Sequence, residues 1–190
     1  MVLFILERDN MKNKNVKLIK LTLSALFLAL AYVMPFLTGQ IPEVGAMLCP
    51  LHIPVLLCGF ICGWQWGLVV GFAAPLLRSS ILGMPPFFPA AVCMAFELAA
   101  YGALSGMFHR LLPRKKPFIY CSLVLSMLIG RLVWGVAMFV CTGIKGGSFT
   151  LSAFVAGAFV NAVPGIILQI IFVPLIVMLF DSLKIASLRE

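Results

Sequence analysis

Apolar residues in this chain fall in long runs that leave no polar face, unlike the alternation of a half-buried strand or the single stripe of a surface helix. Gly/Pro-rich stretches and basic clusters separate the runs. At about 20 residues per crossing, the first helix lies near 17–36. It is followed by "TGQIPEVGAMLCPLHIP", too rich in glycine and proline for a regular helix. From Pro54 to Leu82 the chain is apolar for about 30 residues, long for one untilted span and short for two. Later runs predict helices near 89–108 and 118–142 and a last one over 150–182, kinkable at Pro164 and Pro174.

Charge settles the ambiguous segment. Lys12, Lys14, Lys17 and Lys20 precede the first run, and "HRLLPRKK" brings Arg110, Arg114, Lys115 and Lys116 together after the fourth. Both clusters belong in the cytoplasm, so an even number of crossings separates them. A hairpin of 53–63 and 66–82, turning at "GWQWG" with Trp64 and Trp66 at the interface, meets that condition. The rival is one helix with Gly59, Gly63, Gly67 and Gly71 as a packing seam. The expected architecture is an all-α integral membrane protein, a bundle of six transmembrane helices with both termini cytoplasmic. Residues 1–16 form a basic cytoplasmic extension, 17–184 one transmembrane domain, and 185–190 a tail after Lys184. The irregular loops then share the outer face, as suits a site open to the outside under mobile loops.

Composition agrees: 63% of residues are hydrophobic and 11% charged, which excludes a soluble globular domain. The net charge of +8 sits beside apolar runs, where it sets orientation, so nucleic-acid binding is not expected. The first apolar run is long enough to span and has no clean cleavage site after it, so it reads as a helix and not a signal peptide. Cys49, Cys58, Cys62, Cys93, Cys121 and Cys141 show no metal-ligand spacing and read as packing thiols. No metal or cofactor is expected.

Candidate chemistry centres on "SMLIGRLVWGVAMF", where Arg131 stands in an apolar run. An arginine at the bilayer centre costs roughly 2.5–3.5 kcal/mol on insertion scales. Helical rise puts Arg131 about 16 Å, Glu97 about 12 Å and Asn161 about 15 Å below the outer ends of their spans. Two readings of this layer stay open: Glu97 and Arg131 pair to join two helices, or they line a polar cavity. Arg78, Trp134 one turn outward from Arg131, and Tyr101 one turn inward from Glu97 are candidates to complete a pocket. His52 in the first outer loop either touches ligand or bonds to loop backbone, and Asn161 has a second reading as a bridge to backbone freed by Pro164. "GALSG" misplaces its serine for a nucleophile elbow, and no Walker loop occurs.

The segments "LHIPVLLCGFICGWQWGLVVGF" and "PLLRS…GMPPFFPAAVCMAFELAAYG", with the span count and long first loop, resemble the substrate-binding S components of energy-coupling factor (ECF) vitamin transporters. The likeness runs from Lys12 to Lys184, and the hairpin text is similar to the pantothenate-handling branch. It implies a bacterial-type, multi-pass cell-membrane subunit that binds a small vitamin near its outer side and has no energy source of its own. Its implied partners are a membrane coupling subunit and two cytosolic ATPases, with toppling in the bilayer to release cargo. The family carries an Ala-x-x-x-Ala docking motif on its first span, which Ala25 and Ala29 match. The alternatives are a stand-alone secondary transporter of a small organic anion, for which no internal repeat is found, and an intramembrane enzyme.

Overall fold

The computed structural model describes residues 2–38, 47–113 and 115–182, with side chains described from residue 15 to residue 36 in the first of these segments. The calls on residues 39–46, on Arg114 and on the tail after Ser182 lie outside the described residues. Helices follow one another without a strand among the described residues: α1 (Val2–Val33), α2 (His52–Cys62), α3 (Trp64–Leu82), α4 (Val92–Leu111), α5 (Lys116–Ile144), α6 (Leu151–Val155) and α7 (Val163–Ser182). A 3-10 turn, Met34–Thr38, ends α1, and π-helical turns at Phe87–Ala91 and Ala156–Val160 lead into α4 and out of α6. Helix α1 runs unbroken through the stretch expected as an extension.

Five segments are long and apolar enough to cross a bilayer: Asn15–Phe36, Trp64–Leu82, Phe87–Leu111, Lys116–Ile144 and Val163–Ser182. The predicted span at 53–63 is α2, whose eleven residues extend only about 16 Å, roughly half the hydrocarbon core. Ten of those residues are buried, because α2 runs inside the bundle and not along its rim. Leu56, Cys58 and Phe60 of α2 meet Leu98 and Tyr101 of α4, Leu123 of α5 and Val173 and Val177 of α7 in the core.

The break between α2 and α3 falls at Gly63, whose φ of 101° is a left-handed conformation that a side chain would strain. The "GWQWG" bend is therefore real but narrower than its sequence signal, since Gly67 already lies inside α3. Glycines on both helices still pack closely. A Cβ at Gly67 would collide with the carbonyl oxygen of Gly102, and one at Gly71 with that of Leu98. The backbones of α3 and α4 thus meet directly, with van der Waals contact and not hydrophobic transfer as the cohesive term in lipid.

The last predicted span, 150–182, is divided. After α6 and its π turn the chain turns at Asn161 and Ala162, and the crossing helix begins at Val163. Pro164 sits in the first turn of α7, where a missing N–H removes no helical bond. Along α7 a buried stripe of Gly165, Gln169, Val173 and Val177 recurs every fourth residue, the spacing that keeps side chains on one face.

Candidate functional site

Helix α4 presents Glu97 and Tyr101 one turn apart on its buried face. Helix α5 brings Arg131 opposite them, and α2 opens with His52 at the same level. Gly130, beside the arginine, has no side chain to keep the Tyr101 ring off α5; a Cβ there would lie 2.9 Å from two ring carbons.

Arg131 donates through Nη1 to Glu97 Oε1 at 2.7 Å. His52 Nε2 lies 3.4 Å from the same oxygen, and the His52 and Tyr101 rings meet edge to face at 5.0 Å between centroids. Glu97 is 1% exposed, His52 2% and Arg131 6%. One acid and one guanidinium thus neutralise each other away from solvent, as a charge pair within a bilayer must. The second guanidinium nitrogen, Nη2, approaches Cys49 Sγ at 3.5 Å. The partner of Nη2 is thus a thiol, a weak acceptor. Cys49 holds this place with φ of 47°, a left-handed conformation uncommon for a side-chain-bearing residue and frequent at ligand clamps.

Among the described residues five buried polar side-chain atoms have no hydrogen-bond partner: His52 Nδ1, Tyr101 Oη, Arg131 Nε and both amide atoms of Gln169. Each such atom costs about 1–3 kcal/mol when left unmade, and those of His52, Tyr101 and Arg131 lie around Glu97, while Gln169 sits on the buried stripe of α7. A cavity of about 140 Å³ with wholly apolar walls lies between α4, α5 and α7, where Tyr101 and Arg131 contribute only their apolar atoms beside Met127, Phe159, Ile166 and Ile170. Above Arg131, Trp134 is half-buried. It stacks on Phe154 at 6.3 Å and meets Phe149 edge-on at 6.0 Å.

The expected layer is thus assembled in part. Glu97 and Arg131 meet, with Tyr101 and His52 beside them and Trp134 a turn away. Arg78 is buried elsewhere: its Nη1 donates to the Tyr32 carbonyl at 3.3 Å and its guanidinium lies 5.9 Å from the Phe36 ring centroid, tying α3 to the end of α1. Asn161 is exposed in the turn before α7 and makes no side-chain hydrogen bond among the described residues. Depth along a helix fixes height but not direction, and both residues point away from the pair.

Sequence reasoning missed Cys49 and Gln169. Gln169 had a signal, a lone amide in the apolar run "IILQIIFVP", of the same kind that singled out Arg131. Cys49 had none, since a packing thiol and a thiol against a guanidinium read alike. Ala25 and Ala29 are both exposed on α1, flanked by exposed Leu26 and Leu30. Among the described residues no group of three or more His, Cys, Asp or Glu side chains is placed to hold a metal ion.

No curated protein and no solved structure gives a match to the chain. The family described as "ECF transporter, substrate-specific component" matches residues 19–177, nearly the whole membrane domain. With its apolar crossing helices and a buried polar cluster beside a cavity, the chain belongs to the family of ECF transporter substrate-specific components, multi-pass membrane subunits that bind a small-molecule substrate and associate with an ECF module.

Proposed function

We propose that this subunit captures a small water-soluble vitamin from the outer side of the cell membrane, with pantothenate the best candidate. It then delivers the vitamin through a coupling subunit driven by two cytosolic ATPases. The observation that carries the reading is the buried cluster of unpartnered polar atoms around Arg131. Arg131 keeps its Nη1 on Glu97 and offers the Nε and Nη2 edge, met among the described residues by the Cys49 thiol, to a carboxylate in a two-bond grip. Tyr101 and Gln169 supply further donors and an acceptor for the hydroxyl and amide groups of such a ligand. Glu97 holds the guanidinium in place, with His52 against the same carboxylate oxygen, and Trp134 lies one turn along α5.

In this reading six crossings place both termini in the cytoplasm, with α2 making the short one. Helix α2 starts at the level of Glu97 and ends beside Gly106, so buried, irregular chain around Cys49 completes its crossing, as is tolerated only within protein. Ala25 and Ala29 form the close-packing contact with the coupling subunit. The test is uptake of labelled pantothenate into proteoliposomes holding this subunit with its coupling subunit and ATPases. Uptake that requires ATP supports the reading. Uptake by the subunit alone, driven by an ion gradient, would establish the secondary-transporter alternative.

A further inference from the structure

At the opposite end of α4 a second cavity of about 220 Å³ lies between the Lys20 region of α1, the bend from α2 to α3, and the last turn of α4. Its walls include Lys20, His109 and Arg110, with Gly63, Trp64 and Trp66 on the other side. Helical rise along α4 separates Arg110 from Glu97 by about 20 Å, so this cavity is no part of the site around Arg131.

Its chemistry is one-signed. Lys20 and Arg110 come from different helices, line one cavity, and have no acidic partner among the described residues. No acidic side chain lines the walls. His109 stands against them, its ring edge to face with Phe60 at 5.2 Å. The first turn of α3, which starts at Trp64 with no side-chain cap, brings backbone N–H groups to the cavity, while the last turns of α2 and α4 bring helix C-terminal ends, so the side-chain cations and not the helix dipoles carry the sign. Gln65 joins Ile61, Cys62 and the two indoles on the remaining wall, and Trp64 is 41% exposed, as for an indole lying at a membrane–water interface. Lys20 lies within the span Asn15–Phe36, where a flexible stem lets its ammonium reach the interface.

We propose that this cavity binds the phosphate of an anionic phospholipid headgroup, with Lys20 and Arg110 as its charged contacts and Trp64 and Trp66 against the glycerol and upper acyl region. Charge complementarity selects an anion. The exposed indole and the depth of Lys20 select one that arrives from the bilayer and not from solution. Basic pockets between helices at a membrane surface take such headgroups. A lipid held there bridges α1, the α2–α3 bend and α4.

The experiment uses the full chain in mild detergent and counts retained lipid by native mass spectrometry, with phosphatidylglycerol and phosphatidylcholine offered at equal concentration. Thermal unfolding is followed in parallel. We expect phosphatidylglycerol to be retained over phosphatidylcholine and to raise the unfolding temperature. In the Lys20→Gln/Arg110→Gln variant the preference should fall roughly thirty-fold, the loss of two interfacial cations. Lys145→Gln, which removes a cation packed over the Phe88 ring at the other end, should keep the preference and shows that charge number alone is not the cause. Equal retention of both lipids, or a double variant that still prefers phosphatidylglycerol, would overturn the proposal. Inorganic phosphate that reproduced the thermal shift would overturn it as well, since the ligand would then be a soluble anion.

Discussion

Glu97 and Arg110 lie on one helix, about 20 Å apart along its axis, and their surroundings treat charge in opposite ways. Around Glu97 an acid and a guanidinium cancel in a buried pair, with His52 against the same oxygen, and what is left over is unpartnered hydrogen-bonding capacity. Around Arg110 two cations share a cavity wall that no acidic side chain lines among the described residues, and what is left over is charge. The first arrangement suits recognition by hydrogen-bond geometry in a nearly neutral pocket. The second suits attraction of any phosphate held at the right height. Charged residues in a membrane protein therefore do not share one meaning; the partner decides it.

The comparison breaks most visibly at the pair. Glu97→Gln leaves the Arg131 guanidinium buried opposite a neutral amide and should lower ligand-free stability by roughly 3–5 kcal/mol. Removing both charges, as in Glu97→Gln/Arg131→Met, should restore much of that stability while abolishing substrate binding. Denaturation of the two variants in detergent checks this, and a double variant as unstable as the single one would mean that the pair is not what holds α4 to α5. Removing the cations at Lys20 and Arg110 should barely change unfolding in lipid-free detergent, because no buried partner is orphaned there.

A smaller effect is expected at Gln169, which carries no charge. Gln169→Leu deletes two buried polar atoms that have no partner, so the ligand-free protein should hold or gain stability, by up to about 1 kcal/mol. Substrate affinity should nevertheless fall, by roughly ten-fold for one lost ligand hydrogen bond. A loss of stability without loss of affinity would assign Gln169 to the core and not to the ligand. The smallest effect on binding belongs to the α1 surface. Ala25→Leu or Ala29→Leu should leave affinity unchanged and weaken co-purification with the coupling subunit, because a bulky side chain prevents close helix contact. Cysteine labelling that places Lys116 and Gly146 on the same side of the membrane would remove the topology on which inner and outer ends are distinguished.

Much of this was legible in the sequence, and the parts that were not have identifiable causes. Long apolar runs announce crossing helices because lipid leaves the backbone no other partner. The bend at Gly63 was legible because the basic clusters demanded a turn and glycine supplied it. The start of α7 was not, since Pro164 reads equally as a kink or as the first turn of a new helix. At the site, Arg131 and Glu97 stand out because an ionised group in lipid must find a partner. The position of His52 at the same oxygen as Arg131 depends on chain that re-enters the bundle before α2, and helical rise cannot be counted through such a loop. Arg78 and Asn161 were placed at a suitable height, but height leaves open which neighbour a side chain faces.

Isothermal titration of the detergent-solubilised protein with pantothenate tests the central claim, that the free edge of Arg131 holds the carboxylate of the substrate. The account predicts saturable binding to the unchanged protein, weaker binding to Arg131→Lys, which keeps the charge but loses the two-bond grip, and a loss of a few kcal/mol in Arg131→Ala, where the carboxylate is left unpaired. Affinity in Arg131→Ala equal to that of the unchanged protein would contradict it, and would make this arginine a brace between α4 and α5 alone.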